Sequence, residues 1–255
     1  MTSRPALIVL VLALLVVGGG GAAWALFLRG DNVAPLALPG IGSRASAGAG
    51  AAAGSAGASS ETLLPVTSGA PIDAASLPGA WTIGADSIVG YRVRERLASL
   101  PADSDAVGRT NAITGSATLG AGAGGLLLTE ADFSVDMTTL ASDRQMRDNR
   151  LRRDGIETDQ FPTATFSLTK PVGLPVDAAS GGRFSVTLHG DLTLHGVPKT
   201  IDIAATAQLN GGVIQVLGSL TFPFSDYGIN APNIAGFVSV EDSGTLEFQV
   251  NLTKG

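Results

Sequence analysis

The chain has 255 residues, 45% of them hydrophobic and 5% aromatic, and a formal net charge of -6. An acidic chain with no Lys/Arg stripe and few aromatic rings lacks both the basic face and the stacking platform that nucleic-acid binding needs. It has no cysteine, which excludes disulfides, a thiol nucleophile, cysteine-held zinc and a lipid on cysteine, and its two histidines, His189 and His195, restrict acid–base and metal chemistry.

Residues 6–28 form an uncharged apolar run between Arg4 and Arg29. A helix of that length spans a bilayer core, whereas the apolar part of a cleavable signal is usually about 7–15 residues. Gly18 to Gly21 interrupt the run, and Ala23-Trp24-Ala25 reads as a small-x-small cleavage site. Residues 1–29 are therefore expected to be a transmembrane anchor or a signal segment. Either one places the rest of the chain outside the cytoplasm, single-pass at the cell membrane or secreted.

Residues 30–76 are rich in Ala, Gly, Ser and Pro, and the stretch from Gly48 to Ser60 is almost wholly Ala, Gly and Ser. Such a segment buries too little apolar surface to offset its chain entropy, so it reads as a flexible tether.

From Trp81 onward the pattern has period two. Phe133, Val135 and Met137 alternate with acidic and hydroxyl residues, as do Phe166 and Leu168, then Phe184, Val186 and Leu188, then Ile201 and Ile203; Phe222 and the stretch from Leu246 to Leu252 follow. This is the signature of strands with one apolar and one wet face. Gly-rich links at Gly122 to Gly125, Ser180 to Gly182 and Asn210 to Gly212, and a tight connection at His195-Gly196, predict an antiparallel meander of about eight strands. Thr139 to Arg153 breaks the alternation. Ser142-x-x-Gln145 fits a capping box, and a short helix ending near Gly155 is expected. The domain, residues 77–255, is thus expected to be all-β, an up-and-down barrel or a sandwich with one helix across its opening. Many Ala, Gly, Ser and Thr on the strands lean toward a cavity, although a filled core gives the same alternation.

Four stretches, in order, resemble the YceI-like family of lipid-binding proteins. They are Trp81-Thr82-Ile83 with Asp86-Ser87; Thr139 to Arg152 followed by Phe161-Pro162-Thr163-Ala164-Thr165-Phe166; Gly190 to Lys199; and Asp226-Tyr227-Gly228-Ile229 with Val238 to Glu241. The sequence departs from the family pattern at Arg150, Phe224 and Gly155-Ile156. The resemblance implies a lipocalin-like antiparallel barrel outside the cytoplasm that holds a long isoprenoid or similar amphiphile, such as a quinone or polyprenyl phosphate. The protein would be a carrier or sequestering protein, with no catalysis and no cofactor, in a family where homodimers occur. The apolar phase named above would line the tunnel. Arg144, Arg147 and Arg150, with His195, Asp226, Tyr227 and Asn230, are the candidates for a polar head group. Two other readings stay open: a ligand-free envelope protein with a filled barrel, and an enzyme joining His195 to Asp191 or Asp226.

Overall fold

The computed structural model describes residues 33–40, 74–97, 103–122, 125–231 and 238–255. The segment read as an anchor or signal lies outside them. Among the described residues no helix is long and apolar enough to cross a membrane.

Among the described residues, thirteen strands form one continuous sheet: β1 (Gly79–Ile83), β2 (Ile88–Leu97), β3 (Ser104–Thr110), β4 (Ile113–Gly122), β5 (Gly125–Asp136), β6 (Ala141–Ser142), β7 (Thr163–Leu168), β8 (Val172–Gly173), β9 (Phe184–Leu194), β10 (Val197–Asn210), β11 (Val213–Pro223), β12 (Val238–Val240) and β13 (Ser243–Lys254). Eight of them close a ring of antiparallel neighbours: β1, β4, β5, β7, β9, β10, β11 and β13, with β13 pairing back onto β1. The barrel is therefore closed, which decides between the barrel and the sandwich that the alternation left open, and its ring has no edge strand.

β13 is long enough to serve two partners. Leu252 to Lys254 pair with β1, and Thr245 to Gln249 pair with β2. β2 carries β3 and β12 with it, and β3 carries β6. These strands extend one wall of the barrel past the ring and support α1 (Gln145–Asp154), the one α-helix among the described residues.

The Asn210-Gly211-Gly212 turn joins β10 to β11, with both glycines at positive φ. The β9–β10 connection is a two-residue turn in which His195 and Gly196 both have positive φ. That geometry matches the twist of the flanking strands. Ser180-Gly181-Gly182, expected as a hairpin loop, instead follows a single 3-10 turn, Ala178–Ser180, which Gly181 closes in the left-handed region.

The helix starts at Gln145 and ends at Asp154, with Gly155 beyond it. The capping box does not form: Arg144 occupies the N-cap without a side-chain bond. Ser142 belongs to β6, and its N–H and hydroxyl both donate to the Asp148 carboxylate, at 3.0 and 2.7 Å. An acid inside the first turn reaches back and ties the helix to the strand before it.

Residues 33–40, within the stretch read as a tether, lie against the outer wall of the barrel. Arg92 donates to the carbonyl of Val33 (3.0 Å) and Arg109 to that of Ala34 (2.6 Å). Arg183 donates to Leu38 and Pro39 (3.2 and 2.9 Å), and Gln208 also reaches Pro39 (3.1 Å). Leu38 is buried. Side chains bond the carbonyls of this stretch, so its composition gave no sign of the docking.

Candidate functional site

The two faces of the ring divide as alternation requires, and the inner face does not fill. A cavity of about 1110 Å³ runs from α1 down the inside of the barrel to Leu77, Leu119 and Leu209 at the opposite end. Its walls are apolar. The inward positions of the ring strands include Ala117, Ala131, Ala164 and Ala207, which take little room.

Glycines create the rest of the space. Phe248 stands directly across from Gly218, Phe133 across from Gly115 and Tyr91 across from Gly108. In each pair the ring lies where a Cβ on the glycine would be, 2.3 to 2.8 Å from that position. The aromatic side chains lie flat over the neighbouring strand instead of standing into the lumen, so the barrel keeps both large apolar contacts and an open centre.

Phe133, Val135, Met137, Phe166, Phe184, Val186, Leu188, Ile203 and Phe222, all picked out by period-two alternation, border this cavity. Leu168 and Ile201 do not; they pack against the core from partly buried positions. The register explains the exception. Leu168 and Ile201 flank Gly190 in one cross-strand row, and the Phe166 ring covers Gly190, with the nearest ring carbon 2.4 Å from where a Cβ would stand. Phe166 takes the cavity-facing position in that row.

The polar candidates separate into two groups. Arg144, Arg147 and Arg150 lie where α1 meets the cavity. Arg144 and Arg150 are about half exposed, each beside an aspartate of its own segment, Asp143 at 3.5 Å and Asp154 at 3.7 Å. Arg147 points inward. Its guanidinium meets Glu95 of β2 at 2.6 Å and also pairs with Asp143. Burial opposes its charge, and the attraction of Glu95 and Asp143 more than offsets that, so Arg147 titrates above its ordinary range. The most buried of the three arginines is thus already paired with two carboxylates.

His195, Asp226, Tyr227 and Asn230 do not border the cavity. They build a corner at the same end of the barrel. The His195 ring bridges the carbonyl of Tyr227 at Nδ1 and the carboxylate of Glu157 at Nε2, both at 2.9 Å, and packs on Phe161. Tyr227 is buried, edge-on to Phe222. Asp226 pairs with Lys199 at 3.6 Å, and Asn230 is exposed. Asp191 accepts a hydrogen bond from Thr200. His195 therefore meets neither Asp191 nor Asp226 and serves to lock the β9–β10 turn onto its neighbours. His189 pairs with Asp202 on the outer face. No cluster of His, Asp and Glu among the described residues could hold a metal ion.

β2 supplies wall residues that the sequence reading passed over: Val89, Tyr91, Val93 and Glu95. Their alternation with Gly90, Arg92, Arg94 and Arg96 was legible. The charge density of the stretch, and a glutamate in the inward phase, hid it. Burial holds the Tyr91 hydroxyl well above its usual range.

A closed eight-strand barrel with an open lumen and one helix at its mouth is now defined, and the comparison with known families agrees over nearly the whole of it. The YceI-like domain matches residues 82–252. The chain belongs to the YceI-like family. Among curated relatives, this YceI-like chain is 32% identical to a UPF0312 protein of Vibrio campbellii over 114 residues, 42% of this chain and 57% of that one. A UPF0312 protein of Vibrio vulnificus is 33% identical over the same coverage. The YceI-like chain thus spans just over half the length of these relatives. Among solved structures, a polyisoprenoid binding domain from Saccharophagus degradans superposes with a TM-score of 0.53 at 19% identity, covering 70% of this chain and 99% of that one. Burkholderia cenocepacia BcnA gives 0.48 at 18% identity, covering 66% and 98%. The Saccharophagus likeness is one of fold.

Proposed function

We propose that the barrel holds one long, mostly apolar lipid, an isoprenoid or similar amphiphile, and acts outside the cytoplasm as its carrier or sequestering protein rather than as an enzyme. The observation that carries this is the lumen: about 1110 Å³ of apolar-walled space inside a closed barrel, where a filled barrel would have none. Apolar burial at roughly 25 cal/mol per Å² is enough to hold such a chain with few polar contacts. The solved relative described as a polyisoprenoid binding domain supports the class of ligand. The apolar run at residues 6–28 supports the location.

The test is a binding titration of delipidated protein with a prenylquinone, in the wild type and in Ala131→Phe. Ala131 is an inward wall position, and a ring there blocks the lumen at a folding cost of about 1–3 kcal/mol. Saturable binding by the wild type, lost in the folded variant, supports the proposal. Equal binding by both would place the lipid elsewhere.

A further inference from the structure

We infer that the barrel docks against an anionic lipid bilayer through the exposed face of α1, with its mouth toward the membrane. Two independent features of the chain point the same way.

The first is the helix. Arg144 at its N-cap and Arg147, Arg150, Arg152 and Arg153 within it face three aspartates, Asp143, Asp148 and Asp154, so this segment is net basic in a chain of net charge -6. Arg147 is turned inward onto Glu95, whereas Arg152 and Arg153 are exposed and have no ion-pair partner among the described residues. Between them and Arg144 stands Met146, 87% exposed, a large apolar side chain where a solvated helix would carry a polar one. Arginines around a protruding apolar residue fit the interface of a bilayer with acidic head groups. Beyond the helix, Glu157 and Asp159 follow it, Glu157 already bonded to His195, while Asp226, Glu241 and Asp242 sit on the β11–β13 connection.

The second is the docked segment, residues 33–40. Its start is held by Arg92 and Arg109 and its end by Gln208 and Arg183. Arg92 stands opposite Thr245 on β13; Gln208 stands opposite Gln215, which stands opposite Asn251 on β13. Those two levels are six residues apart, about 20 Å along the strand. The higher level is nearer the mouth, since Glu95, three residues beyond Arg92, is the residue that grips α1. The segment therefore enters from the mouth side. Five Cα–Cα steps separate Val33 from Leu28, the last residue of the apolar run, a reach of at most about 18 Å. If residues 6–28 sit in the bilayer, this clamp, and not the 30–76 stretch as a whole, sets the height of the barrel and turns its mouth toward the lipid.

The chain has no cysteine, so a single one can be placed at will. The full chain would be reconstituted into phosphatidylcholine vesicles with and without phosphatidylglycerol. An environment-sensitive fluorophore is placed at Met146→Cys or, as the opposite-end control, at Val176→Cys, which is 83% exposed. Acyl-chain-labelled lipid is the quencher. The inference expects quenching at position 146 but not 176, stronger with phosphatidylglycerol, and a contacted-to-free ratio that falls about fivefold in Arg152→Ala. Equal quenching at both positions, quenching at 176 alone, quenching at neither, or indifference to phosphatidylglycerol and to Arg152→Ala would each overturn it. The readout does not depend on cargo, so failure here and failure of lipid binding are distinguishable.

Discussion

Replacing Arg147 by Ala strands the Glu95 carboxylate, which is 8% exposed, without its cation. Breaking a buried pair from one side costs about 3–5 kcal/mol. The denaturation midpoint is expected to drop accordingly in Arg147→Ala and to recover in part when Glu95→Gln is added; a double variant no more stable than Arg147→Ala would show that the pair does not couple. Tyr91 offers a second residue-level check. Burial raises its pKa, so the folded state keeps a phenolic proton that the unfolded chain releases above about pH 10. The stability tied to that proton is complete below the unfolded value and is lost as pH rises past it. Tyr91→Phe is therefore expected to be less sensitive to alkaline pH than the wild type. Tyr227, the second tyrosine, is also shifted up by burial and by Asp226, so tyrosinate absorbance is expected to appear only above the ordinary range. At this scale the sequence was least informative: Arg147 and Arg150 look alike in it, yet one turns onto Glu95 and the other toward solvent beside Asp154.

At the scale of elements, the wall depends on small residues facing large ones. Gly218→Ala places a Cβ 2.3 Å from the Phe248 ring and 3.1 Å from the Ala204 carbonyl. The ring must move into the lumen, and a loss of about 1–3 kcal/mol is expected from denaturant unfolding, together with weaker lipid binding. Gly212→Ala meets nothing within 4 Å, and its strain is that of a positive φ alone; it should leave binding unchanged. Strands and their inward phase were legible because alternation is a local property, as at Phe184, Val186 and Leu188. Leu168 and Ile201 share that phase but lose the lumen to Phe166 through a cross-strand register that no single strand encodes. The helix end near Gly155 was similarly local, while its start was not: a bond from Ser142 to Asp148 replaced the expected capping box.

At the scale of the whole molecule, closure of the ring by β13 onto β1 joins residues more than 160 positions apart, and closure is what turns an amphipathic sheet into a container. The docking of residues 33–40 is equally non-local, with Arg183 and Gln208 supplied from the far side of the chain. Whether the lumen carries a lipid is the claim on which the rest depends. Native mass spectrometry tests it most directly, on residues 30–255, which keep the docked segment, expressed in a lipid-producing host and purified without detergent. The account predicts an adduct that leaves on organic extraction and is identified as a prenyl lipid. A mass equal to the bare chain, unchanged after incubation with prenylquinones and polyprenyl phosphates, would contradict it.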